Sequence, residues 1–334
     1  MDPQEIISGG VPPDGIPPID DPTFVEPSAV GFLDPREPVV AVEVNGVAKA
    51  YPVRILMWHE IVNDDFDGVP VVVTYCPLCN TGISFYRPTI EGELLDFGTS
   101  GRLYRSNLVM YDRQTNSYWP QALGQAVVGP LRGFELESVP TRLLSWVDWR
   151  SAHPDGLVLS QRTGHVRRYG SNPYVGYEDA ARPLLFTGDP DPRLPVTEHV
   201  LGIAGDETIA FPYSELERLA SGGVAVVNAE VGRDRFTIFW KAGTVSALDA
   251  SRIPLSADVG AAAAYVPRTA GRWLTFIARD GTIVDEQTGS SWTIAGEAIA
   301  GPLEGRRLRV ALALDGFWFS WAAFHPETEI FRAS

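Results

Sequence analysis

Short β-branched runs, broken by turn residues, set the pattern of this chain. Val39-Val40-Ala41-Val42-Glu43-Val44 predicts a strand. Asn45-Gly46 is the strongest short hairpin signal, and residues 47–51 return antiparallel to the first strand. Residues 69–75 form a second β-branched run, and 83–86, 94–97 and 108–111 read as further strands. Between Pro52 and Val62, the residues Ile55, Leu56, Trp58 and Ile61 recur at helical spacing, so a short helix carrying His59 and Glu60 is expected. Residues 143–152 predict another helix, ended near His153-Pro154.

The pattern repeats. Asp112-Arg-Gln-Thr-Asn-Ser-Tyr-Trp119 matches Asp285-Glu-Gln-Thr-Gly-Ser-Ser-Trp292, and Gly124-Gln-Ala-Val-Val-Gly-Pro-Leu-Arg-Gly133 matches Gly296-Glu-Ala-Ile-Ala-Gly-Pro-Leu-Glu-Gly305. Ser145-Trp146 with His153-Pro154 parallels Ser320-Trp321 with His325-Pro326, and Val62-Asn63 parallels Val227-Asn228. The order is kept throughout. The expected fold is therefore α+β and β-rich, with two tandem divergent copies of a small antiparallel-sheet unit packed as a pseudo-symmetric pair. An extended Pro/Gly-rich arm covers 1–35, copy one 36–156, an ordered connection 157–196, and a degenerate copy two 197–331.

Composition narrows the function. The net charge of −15 repels phosphate backbones and anionic headgroups, which argues against nucleic acid as a partner. No stretch approaches the roughly 18 apolar residues of a membrane span, and no signal peptide is visible in the chain as given. The localisation stays open. The expected partner is a small-molecule substrate, or a protein that donates or accepts a metal.

The repeat also sorts residues. Asp112/Asp285, Thr115/Thr288 and Trp119/Trp292 occur twice and suit turn chemistry, with Asp accepting from backbone N–H groups. His153 and His325 also occur twice, where a helix end favours a cationic or donor group. His59, Cys76, Cys79 and Met110 occur only in the first copy, and the chain has just 2 Cys. The segment Cys76-Pro77-Leu78-Cys79 follows a strand and precedes Asn80-Thr81-Gly82, so a tight turn is expected rather than the helix start that activates thioredoxin-type thiols.

Two thiolates, an imidazole and a thioether form a soft set suited to copper, with zinc as the alternative. The first expectation is a metal-binding enzyme with redox or oxygen-dependent chemistry, ligated by His59, Cys76, Cys79 and Met110. Glu60, Tyr75, Arg102, Tyr104 and Asn107 are the candidates for orienting a substrate. The second is a thiol–disulfide oxidoreductase in which Cys76 attacks. The third is a non-enzymatic module that stores or delivers metal.

Four segments resemble one family: Asp14-Gly-Ile-Pro-Pro18; residues 50–64, Ala-Tyr-Pro-Val-Arg-Ile-Leu-Met-Trp-His-Glu-Ile-Val-Asn-Asp; residues 72–82, Val-Val-Thr-Tyr-Cys-Pro-Leu-Cys-Asn-Thr-Gly; and residues 107–115, Asn-Leu-Val-Met-Tyr-Asp-Arg-Gln-Thr. The chain is similar there to the domain of unknown function 3179, over roughly residues 7–331. That resemblance implies a prokaryotic protein, with many relatives exported or lipid-anchored. It supports reading His59, Cys76, Cys79 and Met110 as a unit and implies no activity.

Overall fold

A computed structural model describes residues 3–333; the first two residues of the expected arm lie outside the described residues. The chain is 41 % strand and 11 % helix, arranged as several small antiparallel sheets, so the β-rich α+β expectation holds. Asn45-Gly46 turns the hairpin of Pro38–Val44 with Val47–Pro52, both residues at positive φ, as a type I′ turn requires. Thr141–Ser145 adds antiparallel to the first of these strands, and Leu157–Leu159 adds parallel to the second. Val71, Val72 and Val73, buried on both faces, sit in the strand Pro70–Cys76, which pairs with Ile61–Asp65 and Thr81–Tyr86. A third sheet joins Phe97–Tyr104, Asn107–Asp112 and Tyr118–Pro120.

The later part of the chain repeats these arrangements. His199–Ala204 and Thr208–Pro212 are flanked by antiparallel Leu314–Phe317 and parallel Glu329–Ile330. Val224–Val231, Asp234–Lys241 and Ala261–Val266 form one meander, and Phe276–Arg279, Thr282–Asp285 and Ser291–Trp292 another. The hydrogen bonds recur too. The Asp112 carboxylate accepts from Ser117 N at 3.2 Å and Trp119 Nε1 at 2.9 Å, and Asp285 accepts from Ser290 N at 3.2 Å and Trp292 Nε1 at 3.0 Å. Asn63 holds both backbone groups of Phe97, and Asn228 holds both of Phe276. The two parts do not have separate cores: Ala41, Leu144 and Trp149 pack in one cluster with Val224, Phe239 and Tyr265.

Three local expectations need correction. The first helix covers only Val53–Leu56. Glu60 adopts φ 59°, a left-handed conformation that no α-helix continues through, and Ile61–Asp65 is a strand paired to Thr74 and Val73 through Ile61 and Val62. His59 and Glu60 therefore lie in the turn between helix and strand. The second helix begins at Trp146, after a strand that ends at Ser145, whose hydroxyl caps the helix by accepting from Asp148 N at 3.1 Å. Of the cationic or donor group expected at its C-terminus, only the donor remains: burial foremost, then Arg142 and Arg307, lower the His153 pKa to about 3, so the ring is neutral. Among the described residues, no helix is long and apolar enough to cross a membrane.

Candidate functional site

The strand Pro70–Cys76 delivers Cys76 into the interior, and Pro77 starts the single 3-10 turn Pro77–Cys79 that brings the second cysteine back beside it. Asn80 closes the turn at φ 50°, a conformation its short polar side chain tolerates. The tight turn expected from the sequence is thus present, and no helix follows it. Both thiols are free and buried, and both sulfurs face the Ser106 carbonyl, at 3.7 Å for Cys76 and 3.6 Å for Cys79.

The two sulfurs differ in their partners. Burial raises the Cys76 thiol well above its ordinary value, and the neighbouring Cys79 raises it further. Burial also opposes ionisation of Cys79, but hydrogen bonds from the Cys76 thiol, the Ser320 hydroxyl and Asn107 outweigh it and lower the Cys79 pKa. Asn107 Nδ2 donates to Cys79 Sγ at 3.6 Å and to Gln121 Oε1 at 2.9 Å, while its Oδ1 accepts from Ala122 N at 2.9 Å. Those bonds fix the amide with its N–H groups toward sulfur. Of the two sulfurs, Cys79 is the one whose ionisation its surroundings favour, whereas the attacking role expected from sequence fell to Cys76.

Glu60 acts on the pair through its charge. Its backbone carbonyl accepts from Tyr75 N at 2.8 Å, which ties the turn to the cysteine-bearing strand. Burial lifts its carboxyl pKa to about 8, and the carboxyl lies near enough to both cysteines to raise their pKa values in turn. Tyr75 takes part indirectly: its hydroxyl donates to Asn80 Oδ1 at 2.7 Å, and Asn80 Nδ2 lies 3.3 Å from His199 Nδ1 in a buried polar cluster with Glu178.

The irregular connection covers the thiols. Tyr177 donates to the Leu78 carbonyl at 2.9 Å, and Ser106 Oγ donates to the Leu184 carbonyl at 2.6 Å. Tyr169 lies 2.7 Å from His59 Nε2, while His59 Nδ1 lies 2.7 Å from the Pro17 carbonyl. Both ring nitrogens of His59 are thereby occupied. Burial is the main cause that lowers its pKa to about 4.

Of the residues singled out from sequence, Cys76, Cys79 and Asn107 come together, the charge of Glu60 is felt at both thiols, and Tyr75 stands one residue before Cys76. Met110 is fully buried in the hydrophobic core, paired across strands with Thr99 and Trp119. Tyr104 packs on Phe324, and the Arg102 guanidinium lies over the Tyr118 ring; neither joins the thiols. Among the described residues, no three His, Cys, Asp or Glu side chains gather as a metal-holding group.

The sequence reading missed Ser106, Ser320 and Tyr177. Ser320 was hidden by pairing Ser320-Trp321 with Ser145-Trp146. In the structure, Trp149 and Trp321 each precede a helix-ending histidine by four positions and pack on it, at 5.3 Å and 4.0 Å, which is a different register. Ser320 then falls on Asp148 and has no serine counterpart.

A family model described as Protein of unknown function (DUF3179) matches residues 13–328. No curated protein and no solved structure matches the chain.

Proposed function

Since the chain belongs to this family, whose description carries no activity, we propose from the site itself that it is a thiol–disulfide oxidoreductase with Cys76 and Cys79 as its redox pair. The observation that carries the reading is the asymmetry of the two thiols: Asn107 and Ser320 donate to Cys79, while Cys76 keeps its proton and feels the charge of Glu60, a carboxyl whose pKa burial lifts to about 8. Attack needs a thiolate, and the resolving thiol needs a base of matched pKa.

In this reading the Cys79 thiolate attacks one sulfur of a substrate disulfide. The substrate S–S bond breaks, and the leaving sulfur departs with the electron pair and takes a proton from solvent. Cys76 gives its proton to Glu60 in the ionised form of that carboxyl, a form that grows as pH rises toward 8, and attacks the Cys79 sulfur of the mixed disulfide. The second substrate thiolate is expelled and protonated. Two electrons pass to the substrate, which leaves as two thiols, and the protein retains a Cys76–Cys79 disulfide. The connection over residues 163–196 lifts to admit the substrate.

The test is equilibration of metal-free protein in dithiol/disulfide buffers of graded potential, followed by acid quench, denaturation and alkylation. A reversible loss of two alkylation sites with a two-electron slope is expected. Thiols that stay fully alkylated in every oxidising buffer would remove the reading.

A second reading rests on the two sulfurs that share one side of the Ser106 carbonyl. Cu(I) is a soft ion that thiolates select and that accepts two such ligands. Cys76 and Cys79 would hold it without His59, whose ring nitrogens lie against the Pro17 carbonyl and the Tyr169 hydroxyl, and without Met110, which is buried beside Trp119. Among the described residues, a closed four-ligand zinc site lacks the further ligands. Copper retained at one equivalent through purification without chelator, and lost in Cys76→Ser/Cys79→Ser, is the expected result of this second reading.

We also infer that the two parts of the chain are divergent copies of one unit. The recurring Asp–Thr–Ser–Trp and Asn–Phe bond sets support that origin, and the copies divided their labour, with the thiols in one and Ser320 in the other.

A further inference from the structure

A second buried polar site lies away from the cysteines, where the first hairpin and the end of the helix Trp146–Ala152 meet residues 295–310. A cavity of about 240 Å³ opens there, lined by Arg142, His153, Arg307 and Arg309 together with Glu43 and Glu297. Water occupies roughly 30 Å³ per molecule in the liquid, so this space takes a group of several heavy atoms.

Arg142 is the unusual member. It is only 6 % exposed, yet among the described residues it forms no ion pair. Its Nη1 donates to the Ala295 carbonyl at 2.8 Å and to the Tyr265 hydroxyl at 3.3 Å, and its Nε has no hydrogen-bond partner. Guanidinium groups stay charged when buried, and a buried charge without a counterion is costly. The two carboxylates of the cavity do not serve Arg142. Arg307 engages both, at 3.6 Å from Glu43 and 3.5 Å from Glu297, and also caps the helix by donating to the Ala152 carbonyl at 2.8 Å.

His153 adds a second unused donor. Its Nδ1 lies 3.3 Å from Arg307 Nη1, which can only donate, so Nδ1 accepts and the ring proton sits on Nε2. That Nε2 is buried and has no partner. Arg309 is exposed at the edge and makes no ion pair among the described residues. With three arginines against two glutamates, the lining carries one net positive charge in a chain of net charge −15. A cation without a counterion and two donors without acceptors call for one kind of ligand, an anion that accepts hydrogen bonds.

We propose that this cavity binds a small oxyanion, a carboxylate or phosphate group, held by Arg142 and His153 with Arg309 at the mouth. Arginine forks match both groups geometrically. The site is independent of the thiol chemistry.

The experiment is calorimetric titration of the full chain with inorganic phosphate and, separately, with succinate, at constant ionic strength in chloride. Saturable binding with a dissociation constant on the order of 0.1–1 mM is expected for at least one of them. Phosphate alone saturating identifies a phosphate group, and succinate alone a carboxylate. Arg142→Met should abolish the heat, and Arg309→Ser, at an exposed position that leaves folding intact, should weaken binding about three- to tenfold. No saturable heat with either anion up to about 20 mM, well above that expected range, overturns the proposal. So does unchanged affinity in Arg309→Ser combined with His153→Phe, which keeps the stacking on Trp149.

Discussion

Ser320, on the last helix, donates a hydrogen bond to the sulfur of Cys79, on a turn from the opposite end of the chain. The bond makes the thiol environment a joint product of both parts of the fold. It also has a measurable size. Hydrogen bonds to charged groups contribute about 1.5–3 kcal/mol. Ser320→Ala should therefore raise the Cys79 pKa by about one unit or more, read from thiolate absorbance near 240 nm across a pH titration. An unchanged titration curve would remove Ser320 from the site.

The two cysteines should behave differently when separated. Cys76→Ser leaves the stabilised thiolate without its resolving partner, and a small disulfide such as oxidised glutathione should trap it as a stable mixed disulfide visible by mass. Cys79→Ser leaves a thiol whose pKa burial raises, and should react at least about tenfold more slowly at pH 7. Equal trapping of the two variants would count against the assigned roles.

Glu60 and His59, adjacent in the chain, push stability in opposite directions with pH. Glu60 keeps its proton in the fold up to about pH 8, whereas an unfolded glutamate loses it near its ordinary value of 4.5. Its contribution is present below pH 4.5 and is lost as pH rises toward 8. His59 stays neutral in the fold down to about pH 4, against 6.5 when unfolded, so its contribution is present above 6.5 and is lost as pH falls toward 4. Urea melts should show Glu60→Gln flattening the loss between pH 5 and 8 by roughly 2–4 kcal/mol. His59→Gln should flatten the acid limb instead. A Glu60→Gln curve parallel to that of the parent protein would show that the carboxyl is not held protonated.

Asp112 and Asp285 organise equivalent turns, each accepting from a buried Trp indole, a Thr hydroxyl and backbone N–H groups. Asp112→Ala and Asp285→Ala should each cost about 2–4 kcal/mol, because several buried donors lose their acceptor at once. Denaturant midpoints would check that the two costs are alike. A neutral substitution at either position would break the equivalence.

Tyr177 pins the connection to the cysteine turn through the Leu78 carbonyl. Tyr177→Phe should cost only about 1 kcal/mol in global stability while accelerating reaction of the native thiols with an aromatic disulfide reagent. If the thiols react no faster, the connection is not the barrier to access.

The hairpin at Asn45-Gly46, the valine-rich strands and the Asp-centred turns were legible because local chemistry and burial agree there. The segment 57–62 was not. Ile55, Trp58 and Ile61 happen to keep helical spacing, but Ile61 and Val62 gain a strand partner in Thr74 and Val73, and Glu60 takes the left-handed turn that makes the pairing reachable. Tertiary pairing overrides a short periodic signal. Cys76, Cys79, Glu60 and Asn107 could be picked out as reactive or polar residues near a turn. Tyr177 and Leu184 could not, because the connection that carries them has no hydrophobic period and finds its place only against the finished sheets. Ser320 needed the correct helix register, which the paired tryptophans and histidines supply only in three dimensions.

The long stretch of chain between Cys79 and Ser320 has a consequence for biosynthesis. A ribosome releases the cysteine turn, its flanking strands and Asn107 long before it makes the helix Trp318–Phe324. Through most of translation Cys79 lacks one of its donors, and its thiol is correspondingly harder to ionise. The surroundings that favour ionisation of Cys79 are thus complete only once the helix Trp318–Phe324 has docked beside the cysteine turn.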